Sequence, residues 1–281
     1  MISIIITSYN RENLIGRAIQ SCMAQTYKDI EIIVVDDCSS DNSVEIIKEL
    51  QQQDNRIRLH VNEVNLGAGL SRRKGTELAK GEYTSFLDSD DYFDKYYIET
   101  LYNAITLENA DMVGSGYYIY DTKGNLIEDR IPEFKVEEGE DIYVSDNADT
   151  KRFLNTKLVK RELWDKVKYS SRRFIEDTPT LLMLMYHCKK TVTLNYAGYY
   201  YIQNPESLCH SSSQLKHKIY STLMAKDMRE YYKDKDPERC TMHSFMYCLR
   251  NLQEVMDVDD IYKYKDEITE IFEYFLKNTK F

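Results

Sequence analysis

The stretch SFLDSDDYF, residues 85–93, places Asp88, Asp90 and Asp91 directly after an apolar run. Like charges at that spacing repel, and burial raises the cost of each. Asp88 and Asp90 are alternate residues, able to converge on one oxygen-seeking cation. Mg²⁺ or Mn²⁺ is commonly held by one or two carboxylates, with substrate phosphates and water completing its shell. The pattern therefore points to a divalent cation and a diphosphate. A second acidic pair, Glu176 and Asp177 in FIEDTP, comes from a separate loop. Asp177 before Thr178-Pro179 is also a good helix start, so on the residues alone a chemical and a capping use are both open. For Asp91, as for Asp41, capping of a helix start is the expected use.

The elements that must position these groups follow from two periods. ISIIITS (2–8) and IEIIVVDD (30–37) are short, β-branched and nearly continuously apolar, as strands covered on both faces of a parallel sheet should be. Between them Leu14, Ile15, Ala18, Ile19, Cys22 and Met23 recur at helical spacing, with Asn10 or Asn13 as the expected cap. DNSVEIIKELQQQ, GLSRRKGTELAK and KYYIETLYNAITLE read as further helices, and RIRLHVN, EYTSFLD and ADMVGSGYYIY as further strands. This alternation predicts β-α-β crossovers and an α/β fold with an open, mostly parallel sheet flanked by helices. GNLIEDRIPEFKVEEGEDIY reads as a hairpin excursion, NTKLVKRELWDKV as a strand or loop before a short helix, and TVTLNYAGYYYI as two short strands. From residue 213 three helices are expected, in LKHKIYSTLMAKDMREYY, RCTMHSFMYCLRNLQEVM and IYKYKDEITEIFEYFL. A boundary near 212 separates the α/β domain, with halves of about 1–120 and 121–212, from a C-terminal helical extension, 213–281.

In such sheets ligands bind beyond the carboxyl ends of the strands. Those ends carry Thr7, Ser8, Tyr9 and Asn10, then Asp36 and Asp37, then Asn62, then Asp88, Ser89, Asp90 and Asp91. Neither a Gly-x-Gly-x-x-Gly turn nor a Gly-x-x-x-x-Gly-Lys loop is present, so phosphates are not gripped by a glycine loop. With 47 acidic and 37 basic side chains the net charge is -10, which argues against a nucleic-acid partner. Six cysteines without a Cys-x-x-Cys pair suggest neither a zinc site nor a disulfide framework, and fit a reducing cytosol. No run approaches the ~20 apolar residues of a membrane span. The opening MISIIITSYN lacks the basic and apolar regions of a secretory leader. A soluble cytoplasmic protein is expected, with peripheral contact at the inner face of the membrane left open.

TSYNRENLIGRAIQSCMAQTYKDIEIIVVDDCSSD and NLGAGLSRRKGTELAKGEYTSFLDSDD resemble the N-terminal half of family 2 glycosyltransferases of the GT-A fold, almost continuously over residues 2–94. NTKLVKREL, FIEDTP and YYYIQNPESLCHS resemble later segments of that family. The resemblance implies inverting transfer of a hexosyl group from a nucleoside-diphosphate sugar, with UDP the expected nucleotide, to an acceptor hydroxyl. The acceptor it suggests is a carbohydrate or lipid-linked glycan of a surface polysaccharide. It implies that Thr7 and Tyr9 line the nucleotide pocket, that Asp37 accepts from a base N–H, and that Arg72 lies near the nucleotide or its phosphates. Asp90 would be the direct ligand of Mn²⁺ or Mg²⁺, and Asp88 would face the ribose or metal-bound water. Asp177 would be the general base, with Glu176 placed to bind or orient the acceptor.

Weaker candidates are His210 as a further group near the metal, Lys157 and Arg161 as contacts to phosphate or acceptor, and Trp164 and Tyr199–Tyr201 as stacking groups, with packing the more ordinary use of these aromatics. SRRKG departs from the family pattern at Ser71 and Arg73, leaving the role of Arg73 open between the phosphates and solvent. The helical tail is open to three uses: acceptor binding, the membrane face, or a homodimer. Two other classes compete, a sugar nucleotidyltransferase releasing pyrophosphate and a non-catalytic carbohydrate-binding or scaffold protein.

Overall fold

ISIIITS forms β1 (Ile2–Ser8) and IEIIVVD forms β2 (Ile30–Asp36), and both are buried along nearly their whole length. Because strand side chains alternate, the two faces feed separate cores. Ile4, Ile6, Ile32 and Val34 join the core on one side, and Ile5, Ile33 and Val35 join the core on the other. The computed structural model describes residues 1–139, 142, 153–169, 171–172, 175–204, 214–235 and 263–278.

The first half follows the expected alternation: α1 (Ile15–Met23), α2 (Ser43–Gln53), β3 (Ile57–Val61), α3 (Ala68–Leu78), β4 (Tyr83–Asp88), then a short β5 (Tyr92–Phe93), α4 (Tyr97–Leu107) and β6 (Met112–Asp121). β7 (Leu126–Arg130) folds back on β6 as the expected hairpin, and β8 (Lys135–Glu138) follows. A one-turn 3₁₀ helix (Leu154–Thr156) leads into β9 (Lys157–Lys160), a second 3₁₀ helix spans Arg161–Lys166, and α5 (Asp177–His187) precedes β10 (Lys190–Gln203).

The sheet runs β3-β2-β1-β4-β9-β6-β10-β5. β3, β2, β1 and β4 are parallel neighbours, as are β6 and β10. β9 lies between these blocks and is antiparallel to both β4 and β6. Apolar side chains of α1, α2 and α4, among them Ile19, Ile47 and Leu101, cover one face. Leu181, Leu184 and Met185 of α5 cover the other together with Trp164.

Three local expectations are corrected. TVTLNYAGYYYI is one long strand, not two, with register shifts between Thr193 and Tyr199 that let it continue past an irregularity. Neither Asn10 nor Asn13 caps α1: its N-cap position is Leu14, and Asn10, at φ 52°, instead accepts from the Ser40 N–H. Asp91 caps nothing. The α4 entry is held by Asp94, whose carboxylate accepts from the Tyr96 N–H, whereas Asp91 is 1% exposed and bonded to β10. Asp41 does bond the first turn of α2, accepting from the Ser43 N–H.

The chain divides into compact units Met1–Asn204 and Pro205–Phe281, where the sequence placed a boundary near 212. In the second unit α6 (Gln214–Tyr232) and α7 (Lys265–Asn278) bury Leu215, Ile219 and Leu223 against Ile268, Ile271 and Tyr274. The helix expected in RCTMHSFMYCLRNLQEVM lies outside the described residues. Among the described residues no helix is long and apolar enough to cross a membrane.

Candidate active site

Parallel pairing brings the carboxyl ends of β1, β2 and β4 to one level, with Thr7 opposite Asp88 and Ser8 opposite Asp36. Tyr9 stands just beyond β1 with 45% of its surface exposed, leaving its ring open to a planar partner. Asp37 is buried and already engaged. Its Oδ1 accepts from Asn62 Nδ2 at 2.8 Å and the Leu66 N–H at 2.8 Å, and its Oδ2 from the Gly67 N–H at 2.7 Å. It thus shapes the loop from β3 to α3, where Gly67 at φ 88° adopts a backbone that side-chain-bearing residues rarely take. With three donors taken, the carboxylate keeps lone-pair capacity for about one more.

Arg72, on α3, is 6% exposed and bridges two carboxylates from distant elements. Its Nη2 donates to Asp88 Oδ1 at 2.9 Å and its Nη1 to Glu176 Oε1 at 2.7 Å. Burial opposes the charge, but Asp88, Glu176 and Asp177 outweigh it and hold the guanidinium firmly protonated. Asp177, next to Glu176, opens α5, and its carboxylate accepts from the Thr178 N–H at 2.8 Å. Burial, then the charge of Glu176, push its carboxyl up to about 6, with Arg72 pulling the other way and Asp88 adding repulsion. Ile175 just before the pair sits at φ 54°, a strained backbone for a β-branched residue.

Asp90 has a different environment. Arg11 Nε lies 3.9 Å from its Oδ2, and Arg17 donates to its backbone carbonyl. Burial and the neighbouring Asp88 hold the Asp90 carboxyl above its ordinary value, with Arg11 and Arg17 partly offsetting them. A carboxylate at a strand end with surplus negative charge beside it suits a hard cation. Among the described residues no group of three His, Cys, Asp or Glu side chains could hold a metal ion by itself. Phosphate oxygens and water commonly complete the shell of such a cation. Asp88, with its two oxygens engaged by Arg72 and by Asn155 Nδ2, suits a supporting position better than direct ligation.

The structure therefore brings Thr7, Tyr9, Asp37, Arg72, Asp88, Asp90, Glu176 and Asp177 to one rim, while His210 lies outside the described residues. Other candidates are engaged away from the rim. Lys157 is buried, donating to the Phe153 carbonyl and Thr156 Oγ1, and burial pushes its ammonium down to about 7. Arg161 Nε bonds the Gly81 carbonyl, and Trp164 is a core residue bonding Thr84 and meeting Phe86 edge-on. Arg73 pairs with Glu77 at the surface. Tyr199 is buried against Asp91, and Tyr200 stacks on Tyr92 with centroids 4.6 Å apart. Sequence reasoning missed Arg11, Arg17 and Asn155. Arg11 lay within the turn after β1, but Asn155 carried no signal beyond its place two residues before Lys157.

Comparison with known proteins converges on one family. The family described as Glycosyl transferase family 2 matches residues 3–174. Glycosyltransferase GlyG of Streptococcus pneumoniae serotype 4 (strain TIGR4) is 32% identical over 225 residues, 76% of this chain and 75% of GlyG. S. aureus TarS 1–349 in complex with UDP-GlcNAc has a TM-score of 0.76 at 18% identity, over 97% of this chain and 81% of that one. Mannosyltransferase PcManGT from Pyrobaculum calidifontis, in complex with GDP-Man and Mn²⁺, has a TM-score of 0.60 at 12% identity, over 97% and 83% of the two chains. The sheet with its flanking helices is thus a GT-A fold. A family match over residues 3–174, a curated relative covered for three-quarters of its length and an acidic rim at the strand ends agree: the chain is a glycosyltransferase and belongs to glycosyltransferase family 2.

Proposed function

We propose that the protein transfers a sugar from UDP-sugar to an acceptor hydroxyl with inversion at the anomeric carbon, in the synthesis of a surface polysaccharide or glycan. The observation that carries this reading is the Arg72 bridge between Asp88 and Glu176, which ties the start of α5, and with it Asp177, to the end of β4. Complexes of structural neighbours with UDP-GlcNAc and with UDP support a uridine nucleotide, and the Mn²⁺ of the mannosyltransferase supports a divalent cation. The nucleotide would lie across residues 1–120, with the acceptor against 121–212 and the helical extension beyond.

In this reading the exposed Tyr9 ring stacks on the base, Thr7 lines the pocket, and Asp37 uses its remaining lone pair for a base N–H. Asp90, supported by Asp88, would hold Mn²⁺ or Mg²⁺, which when bound supplies the positive charge that stabilises the departing diphosphate. Asp177 takes the proton of the attacking hydroxyl. A carboxyl at about 6 is deprotonated at neutral pH yet basic enough to accept that proton. Glu176, held by Arg72, orients the acceptor rather than competing as a base. Cys22, Cys38 and Cys188 are free thiols, which supports work in the cytoplasm.

The test is a panel of nucleotide sugars and glycan acceptors assayed for release of nucleoside diphosphate. Release of UDP by the wild type and its loss in Asp177→Asn are expected. Release of pyrophosphate from a nucleoside triphosphate instead, or full transfer by Asp177→Asn, overturns the reading.

A further inference from the structure

A buried chain of side chains runs behind the acidic rim, and nothing in the chemistry above uses it. Asn155 is 9% exposed and sits in the one-turn helix Leu154–Thr156. Its Nδ2 donates to Asp88 Oδ2 and faces Tyr199 Oη at 3.4 Å, while Tyr199 donates to Asp91 and the Ile202 N–H donates to Asp91 Oδ1 at 2.8 Å. Asn155 Oδ1 is buried with no hydrogen-bond partner among the described residues. Turning the amide over would aim its oxygen at a carboxylate, so the orientation is set by Asp88 and the orphaned acceptor is its consequence.

The turn that presents Asn155 is itself tied from behind. Lys157 Nζ reaches back to the Phe153 carbonyl at 3.1 Å and to Thr156 Oγ1 at 2.7 Å, bracketing Asn155 on both sides. Room for that side chain comes from Gly114 on β6, where a Cβ would stand 3.1 Å from Lys157 Cδ and Cε. A buried lysine with no carboxylate partner among the described residues and a buried amide with an orphaned oxygen both reduce stability. Two positions apart and serving one contact, they hold the geometry at Asp88 at a cost in stability.

We propose that Asn155 is a positioning residue for the transfer reaction: it fixes the Asp88 carboxylate against the pull of Arg72, with Lys157 holding its turn and Tyr199–Asp91 setting its register from β10. The inference rests on the metal-dependent reading of Asp88 and Asp90. Its content is that the second oxygen of Asp88 is set by a one-turn helix from the later half of the domain, so donor and metal binding depend on that half being in place.

The experiment titrates Mn²⁺ at saturating UDP and reads the rise in melting temperature, for wild type, Asn155→Ala, Asn155→Asp and Lys157→Met. Expected for Asn155→Ala is a Mn²⁺ midpoint raised about tenfold, beyond whatever metal-free stability the lost bond to Asp88 costs. Asn155→Asp, which sets a carboxylate against Asp88, should raise the midpoint further, and Lys157→Met should raise it while leaving the metal-free protein no less stable. Variants that melt early yet keep the wild-type midpoint make the role structural and overturn the proposal. A wild type that UDP with Mn²⁺ does not stabilise overturns the metal-dependent reading and this inference with it, whereas a normal wild type with an unshifted Asn155→Ala overturns this inference alone.

Discussion

Arg72 and Glu176, far apart in sequence, meet at 2.7 Å, and the second arm of the same guanidinium meets Asp88 at 2.9 Å. One buried cation from α3 thereby fixes the distance between the end of β4 and the start of α5. Replacing it leaves two partly buried carboxylates facing each other. Arg72→Met is expected to cost about 3–5 kcal/mol in urea unfolding, the usual penalty for removing one partner of a buried ion pair. Arg72→Lys should recover only part of this, because a lysine cannot form the two-armed bridge.

Asp177 sets a pH dependence whose sign is fixed by its role. The active form is the carboxylate, and its folded-state pKa is raised to about 6, so kcat should fall as pH drops through that value and level off above it. Asp177→Asn should lower kcat by roughly 10²–10⁴ and abolish this acidic limb, with the circular dichroism spectrum unchanged. An acidic limb that persists in the Asp177→Asn variant would assign it to another group.

The two aspartates of the signature should behave differently. Asp90→Asn is expected to remove the Mn²⁺-dependent part of the stabilisation by UDP. Asp88→Asn should weaken that response and also destabilise the metal-free protein by about 1–3 kcal/mol, since a charge-assisted bond to Arg72 is lost. Chemical denaturation without metal separates the effects.

Asp91 offers a comparison between capping and clamping. A lost helix cap costs about 1 kcal/mol. Asp91→Ala should cost more, about 2–3 kcal/mol, because the Tyr199 hydroxyl and the Ile202 N–H both lose a buried acceptor. Tyr199→Phe should follow in the same direction with a smaller effect, measured by the same urea transitions.

Gly75 is expected to be intolerant for a packing reason. A Cβ there would stand 2.3 Å from Ile5 Cγ2, so α3 would have to lift from β1. Gly75→Ala should cost about 1–3 kcal/mol of stability by overpacking and weaken UDP binding, because Arg72 rides on the same helix.

The sequence alone determined what local pattern and residue chemistry can encode. Apolar runs of β-branched residues set β1 and β2, helical spacing set α1 to α4, and alternate aspartates after a strand announced a cation and a diphosphate. These signals are short-range, because periodicity and turn chemistry act over a few residues. What only the tertiary structure decided was pairing across long separations. β9 enters antiparallel between β4 and β6, β10 runs as one bulged strand, and Asn155 and Tyr199 arrive behind the aspartates. Asp91 shows the difference: its type and position suit a helix cap, yet the β10 backbone and a tyrosine hydroxyl reach it first. Asp88 and Arg72 show it again. Their charges were legible in the chain, but their mutual bond depends on a packing of α3, β4 and α5 that no local spacing records.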